Sequence, residues 1–350
     1  MRYSYVMIKN LALDTLFHLF ESGIISYPAA GQRTLFLNTQ DHRALNSFQC
    51  EMSFQQSFRP FAKRLKAAGH RVCPDFPEEE QSFDMVIIAA PKNQIETLYL
   101  IACGLGFLKP NGLLIAAAEN KAGGSRLQKN MAHFDLENLK SESRNKSRAV
   151  WTKVLSFDEK RVEQALTDGA MQGVLDGCFQ SQPGVFGWNK LDQGSQVLLQ
   201  HLPDELKGKG ADFGCGYGLL SRYVLENYKL KSLTCIDAEA RAVEACRLNL
   251  EGVDTDAELT FEWVDLTQDL SHVSGLDFIV MNPPFHEGKK VDLSIGEGFI
   301  KNAAVSLKRN GSLWMVANKQ LPYEPILQEA FFRVETVFEG RGFKVFCAVK

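Results

Sequence analysis

Gly210-Ala211-Asp212-Phe213-Gly214-Cys215-Gly216-Tyr217-Gly218 is the stretch from which the architecture follows. Its first four residues read as a short buried strand. The run Leu219–Asn227 behind it reads as a helix. Glycines at such a strand-to-helix turn let the backbone approach a ligand closely. A lone G-x-G-x-G is a weak signal. Placed between a strand and a helix, it marks the opening of a parallel α/β sheet with a ligand crevice at the carboxyl ends of its strands.

The next strands repeat the theme. Ser232–Ile236 ends at Asp237, about 20 residues beyond the loop, where a carboxylate accepts from ribose hydroxyls. That aspartate is equally suited to capping the helical run Ala238–Leu250. Leu259–Val264 ends at Asp265, a carboxylate available to an adenine amino group. Leu276–Met281 ends in Asn282-Pro283-Pro284-Phe285. Two prolines fix two φ angles and remove two N–H donors, and each pushes its predecessor towards extended geometry. The result is a stiff turn with bare carbonyl oxygens, an amide at one end and a ring at the other. It suits a planar group bearing an NH2, and it also reads as a plain rigid strand exit.

A dinucleotide and S-adenosylmethionine both need such a loop and a ribose acid. The loop carries an acid, Asp212, at its strand end and adds no basic residue, which suits a cationic or amino-bearing ligand better than a pyrophosphate. Asp265 and the Pro-Pro turn add to that preference for S-adenosylmethionine.

The first half of the chain copies the second in outline. Phe83-Asp84-Met85-Val86-Ile87-Ile88 corresponds to Leu276-Asp277-Phe278-Ile279-Val280-Met281. Leu108-Lys109-Pro110-Asn111-Gly112 corresponds to Leu307-Lys308-Arg309-Asn310-Gly311. This is duplication of a whole domain. The copies part where chemistry would lie: Asn38-Thr39-Gln40 stands in place of the glycine loop, and Ala90-Pro91-Lys92-Asn93 in place of Asn-Pro-Pro-Phe. Residues 1–178 are therefore expected to be a degenerate domain and 179–350 the catalytic one. Helices are expected over 6–20, 55–69, 94–108 and 158–175, and strands over 33–38, 83–90 and 113–118.

Composition fits a globular chain of 350 residues with formal charge −3. That balance argues against a non-specific nucleic-acid coat but does not exclude a local basic face. Residues 119–153 supply such a face, with Lys121 and Arg126 among eight basic residues; an ordinary solvated surface has the same look. None of the eight cysteines forms a C-x-x-C pair, so no metal site is expected. Scattered thiols fit a reducing cytoplasm. Charges interrupt every apolar stretch, so no membrane partner is expected.

Taken together, Asp212 to Gly218, Asp237, Asp265 and Asn282–Phe285 resemble the class I S-adenosylmethionine-dependent amino-methyltransferases. The closer resemblance is to the RsmC family, carried further by Pro183-Gly184-Val185-Phe186, Leu191-Asp192-x-Gly194-Ser195-Gln196-x-Leu198-Leu199, Val316-Ala317-Asn318 and Phe343-Lys344-Val345-Phe346. It covers most of residues 183–350 and is architectural over 1–175. Gly187 and Gly342 depart from the family pattern outside the core motifs. The resemblance implies two tandem class I (Rossmann-like) methyltransferase domains, the N-terminal copy degenerate. It implies transfer of a methyl group to the exocyclic N2 of a guanine in 16S rRNA, on RNA or the small ribosomal subunit, with no DNA partner. Asn282, Pro283, Pro284 and Phe285 are then the catalytic turn. Asp212, Gly214, Gly216, Gly218, Asp237, Asp265 and Asn282 are the cofactor set, and Phe186, Lys121, Arg126 and Lys344 are substrate contacts. A 23S rRNA guanine, an adenine N6, a protein glutamine amide and a non-enzymatic RNA-binding module are the alternative readings.

Overall fold

The computed structural model describes residues 10–284 and 293–350. The chain forms two compact units, Met1–Ala170 and Met171–Lys350. In the first, β1 (Arg33–Leu37), β2 (Glu51–Gln55), β3 (Val72–Cys73), β4 (Phe83–Ala89), β5 (Leu108–Glu119), β6 (Lys140–Arg144) and β7 (Ser147–Lys153) form one sheet in the order β3-β2-β1-β4-β5-β7-β6. Its helices are α1 (Leu11–Glu21), α2 (Arg59–Ala67), α3 (Gln94–Phe107), α4 (Leu127–Ala132) and α5 (Glu159–Gly169).

The second unit begins with a hairpin, β8 (Gln172–Val174) and β9 (Phe179–Ser181), and the helix α6 (Gln193–Leu199). Its sheet then takes β10 (Gly208–Phe213), β11 (Leu230–Asp237), β12 (Glu258–Trp263), β13 (Leu276–Met281), β14 (Leu307–Asn318), β15 (Arg333–Gly340) and β16 (Phe343–Val349) in the order β12-β11-β10-β13-β14-β16-β15. The helices α7 (Leu219–Asn227), α8 (Ala240–Leu250), α9 (Leu293–Ser306) and α10 (Glu324–Ala330) complete it. The two sheets share one order: five parallel strands, then one reversed strand (β7 or β16) and an edge strand (β6 or β15) antiparallel to it, which therefore runs with the first five.

Both faces of the second sheet are covered, which explains the apolar runs of its central strands, Phe278–Met281 and Leu313–Ala317. Phe213, Ile279 and Met281 point to a core shared with Phe299 and Ile300 of α9 and Leu327 of α10. Cys235, Phe278 and Val280 point to the opposite core, with Val197, Leu198, Val224 and Cys246 of α6, α7 and α8.

The duplication reaches single hydrogen bonds. Asp84 Oδ2 accepts from the Arg33 N–H and the Lys109 ammonium, both at 2.9 Å. Asp277 Oδ2 accepts from the Lys209 N–H at 2.8 Å, and Asp277 pairs with Lys308. In each unit a strand-opening aspartate thus ties two neighbouring strands together. Asn111 and Asn310 adopt the same left-handed turn, φ 63° and 64°. The glycine after each has no room for a side chain: a Cβ on Gly112 or Gly311 would lie 2.9 Å from the preceding lysine's carbonyl oxygen.

Several local expectations shift. The helix expected over 6–20 is seen as α1, and residues before 10 lie outside the described set. The helix expected over 55–69 starts at Arg59, because Glu51–Gln55 pairs with β1 as a strand and Pro60 opens the helix. The helix expected to reach 175 stops at Gly169, packed so tightly on Tyr99 that a Cβ would lie 2.3 Å from that side chain. The chain then turns into the β8–β9 hairpin, which moves the unit boundary from the expected 178/179 to 170/171. The basic stretch 119–153 contains the β6–β7 hairpin, turned by Asn145 and Lys146 at φ 50° and 58°. That turn needs two left-handed residues and here lacks the usual glycine.

Candidate active site

The site grows from the parallel order of β12, β11, β10 and β13, which puts their carboxyl ends side by side. The glycine loop leaves β10 and is pinned at once to β11. The N–H groups of Gly214 and Cys215 both donate to the Ile236 carbonyl, at 2.8 and 3.0 Å. Gly216 takes φ 54°, and a Cβ there would face open space. Its requirement is conformational, and the open side is a cradle for a ligand. Gly218 caps α7 at φ 92°, and a Cβ would lie 2.9 Å from Cys246 Sγ and 3.1 Å from Cys246 Cα. That glycine lets α7 and α8 close up beneath the loop.

Asp237 joins loop to strand. Its Oδ2 accepts from the Gly216 N–H at 2.9 Å and its Oδ1 from the Glu239 N–H at 2.9 Å. Each oxygen keeps a second lone pair for a further donor. Burial raises its pKa to about 6, against the pull of the Glu239 and Gly216 amides. Asp265 follows β12, and its Oδ1 accepts from the Thr267 N–H and hydroxyl at 3.0 and 2.6 Å. Between the two acids, the Trp263 indole N–H donates to the Ala238 carbonyl at 2.8 Å, fixing a half-buried aromatic ring.

Asp212 is elsewhere than its motif position suggests. It is fully buried under the loop, with Oδ2 accepting from the Ser221 hydroxyl at 2.6 Å. Its Oδ1 has no partner. Burial pushes its pKa to about 7; the Ser221 hydroxyl opposes this and the charge of Asp237 adds to it.

Asn282 stands at the end of β13, with Pro283 buried and Pro284 exposed. Its Nδ2 donates to Asp192 Oδ2 at 2.7 Å and to Ser195 Oγ at 3.0 Å. Phe285, the fourth residue of the expected catalytic turn, lies outside the described residues. The segment 183–191 packs on the loop: Val185 is buried with Tyr217, Ala242 and Ala245, and the Tyr217 hydroxyl donates to the Lys190 carbonyl at 3.3 Å. Burial raises the Tyr217 pKa to about 12, with the charge of Asp192 adding. From that segment Phe186 projects, 65% exposed.

The structure therefore brings Gly214, Gly216, Gly218, Asp237, Asp265 and Asn282 to one edge. Lys344 is ion-paired with Glu324. Lys121 and Arg126 are exposed in the first unit, where the Arg126 guanidinium donates to Gln94 at 3.2 Å. Sequence reasoning had Asp192 and Ser195 as part of the resemblance motif and missed their hold on Asn282. It also missed Ser221 and the pinned Trp263.

In the first unit the equivalent place is filled. Asn38 takes the left-handed turn after β1 at φ 55°, and its N–H reaches the Gln55 carbonyl at 3.0 Å, as Gly214 does with Ile236. There the buried Gln56 side chain donates to the buried Thr39 carbonyl at 2.7 Å, and among the described residues no carboxylate holds a loop amide.

The second unit's residues fit S-adenosylmethionine: an open glycine cradle, two strand-end carboxylates with free lone pairs, and no added cation in the loop. Sheet order, loop and acids define a class I S-adenosylmethionine-dependent methyltransferase.

Comparison with known proteins narrows the class. Residues 176–347 match the methyltransferase small domain, and residues 30–160 match the methyltransferase small domain N-terminal family. Ribosomal RNA small subunit methyltransferase C of Shewanella sediminis is 31% identical, over 91% of this chain and 94% of its own length. The protein of that name from Shewanella pealeana is 33% identical over 81% and 80%. A solved structure of a T. thermophilus 16S rRNA N2 guanine methyltransferase (RsmC), in complex with AdoMet and guanosine, superposes with TM-score 0.78 at 22% identity, covering 97% of this chain and 91% of that one, a likeness of fold. The chain belongs to the ribosomal RNA small subunit methyltransferase C family. Among the described residues no helix is long and apolar enough to cross a membrane.

Proposed function

We propose that this chain transfers a methyl group from S-adenosylmethionine to the exocyclic N2 amine of a guanine in 16S rRNA, acting on the small ribosomal subunit in the cytoplasm. Family membership supports the RNA class, and the printed names of its relatives support the small-subunit target. The observation that carries the mechanism is the fixed amide of Asn282 beside the glycine loop.

S-adenosylmethionine, when bound, supplies a methyl carbon already activated by its sulfonium. Asp237 is the residue to accept from ribose hydroxyls, Asp265 from the adenine amine, and the main chain at Gly214 and Gly216 borders the methionine part. Asp212, sealed below the loop and bonded to Ser221, supports the loop from within the core. Asn282 turns its NH2 into the protein, so its Oδ1 is the atom offered to a substrate amine. The Pro283 carbonyl adds a second acceptor on a turn with no competing N–H. Two acceptors fix both N–H bonds of the amine and leave its lone pair unobstructed, so positioning does most of the work. The guanine must leave its stack to reach the turn. Phe285 is the ring proposed to stack on it, and exposed Phe186 offers a second stacking face for RNA.

The first unit is proposed as the non-catalytic copy. Lys121 and Arg126 on its surface are its proposed contacts with RNA phosphates. Lys344, held by Glu324, is a weaker substrate contact than its sequence position suggests.

The test is Asn282→Ala assayed on 16S rRNA and on small subunits. Methyl transfer is expected to be lost while the fold, read by melting temperature, is kept. A normal rate in that variant would rule the mechanism out.

A further inference from the structure

Resting on the reading of Asn282 above, we infer that Asp192 and Ser195, at the start of α6, are positioning residues that set which face of the Asn282 amide meets the substrate. The amide has two orientations of nearly equal shape, and only one offers an acceptor to an amine. The choice is made by Asp192. An ionised carboxylate accepts only, so the amide group 2.7 Å from Asp192 Oδ2 must be the NH2. Ser195 Oγ, 3.0 Å from the same nitrogen, takes its second hydrogen. Both Nδ2 hydrogens are thereby consumed, and Oδ1 is turned away from α6.

The carboxylate is itself immobilised. Asp192 Oδ2 also accepts from the Ser195 N–H at 2.8 Å, so the atom that caps α6 is the atom that holds Asn282. Gly194 makes the approach possible. A Cβ there would lie 3.1 Å from Asp192 Oδ2, 3.2 Å from Phe343 Cε1 and 3.4 Å from Asn282 Nδ2. The Asp-x-Gly-Ser spacing is therefore one device: a cap, a clearance and a second acceptor, joined to a turn some ninety residues later in sequence. Such outer partners decide how tightly a reactive geometry is held.

The cap alone does not need an aspartate, and that separates the two roles. Serine is as good an N-cap, but its hydroxyl is one bond shorter and does not reach Asn282. Asp192→Ser is expected to keep the melting temperature and the calorimetric S-adenosylmethionine affinity. Its kcat on small subunits from cells lacking this protein should fall roughly ten- to a hundredfold, the range for a lost hydrogen bond to a charged group. Asp192→Asn, whose amide oxygen can accept both bonds, is expected to recover most of that loss. Ser195→Ala is expected to lose about threefold in kcat. A wild-type kcat in Asp192→Ser, or an equally poor Asp192→Asn, overturns the inference, as does a kcat loss matched by lost cofactor affinity and lost stability. Asn282→Ala run alongside separates the causes. If it is inactive while Asp192→Ser is normal, only the positioning role fails. If Asn282→Ala is active at a normal rate, the reading of Asn282 falls and this inference with it.

Discussion

Replacing Asp212 by Asn should change how stability depends on pH. The Asp212 carboxyl is fully buried, accepts one hydrogen bond from Ser221 and leaves Oδ1 without a partner. In the folded chain it keeps its proton up to about pH 7, whereas its ordinary value is 3.8. The folded state therefore binds more protons than the unfolded state between those values. Stability is greatest on the acid side and falls as pH rises through about 7. Between about pH 5 and pH 8 the wild type should lose about 3 kcal/mol from this one group. Asp212→Asn has no proton to lose, so its stability relative to wild type should rise by that amount over the same range. Asp237 titrates in both proteins and largely cancels in the difference. Urea unfolding of the full-length, ligand-free chain, followed by tryptophan fluorescence, measures it; Trp188, Trp263 and Trp314 all lie in the second unit. A stability difference that stays flat from pH 5 to 8 would refute the picture of a buried, proton-holding carboxyl.

Asp237→Ala should weaken S-adenosylmethionine by roughly ten- to a hundredfold through loss of a charged hydrogen-bond acceptor, and an unchanged calorimetric Kd would contradict that. In the wild type, affinity should rise as pH climbs through about 6, where Asp237 ionises. The rise should be shallower for S-adenosylhomocysteine, which lacks the sulfonium charge, and identical slopes would remove the electrostatic argument. Gly218→Ala combines a left-handed backbone with a Cβ 2.9 Å from Cys246 Sγ, so denaturation should show a loss of about 2–4 kcal/mol.

The sequence carried the sheet of the second unit well, because its strands are apolar-rich, the central β13 nearly continuously so, and a chemical residue stands at each exit. Asp237, Asp265 and Asn282 could be placed at strand ends from that pattern alone. The duplication was also legible in the Leu-Lys-x-Asn-Gly turns, whose glycines cannot carry a Cβ. What stayed hidden depended on three-dimensional neighbours. Strand β2, Glu51–Gln55, alternates polar and apolar residues over only five positions, with just Met52 and Phe54 apolar, and is held by pairing with β1. The hairpin of β6 and β7 turns on Asn145-Lys146, which propensity does not mark. Asp212 sat in a ligand motif yet faces Ser221 inside the core. Asp192 was visible in the motif Leu191–Leu199, but its bond to Asn282 joins residues that only the fold brings together.

The most direct test of the account is mass mapping of methylated nucleotides in 16S rRNA from cells with and without this protein, complemented by the wild type or by Asn282→Ala. The account predicts one N2-methylguanosine in 16S rRNA that disappears without the protein and returns only with the wild type. An unchanged 16S map, with the missing methyl group found in 23S rRNA or on a protein, would contradict it.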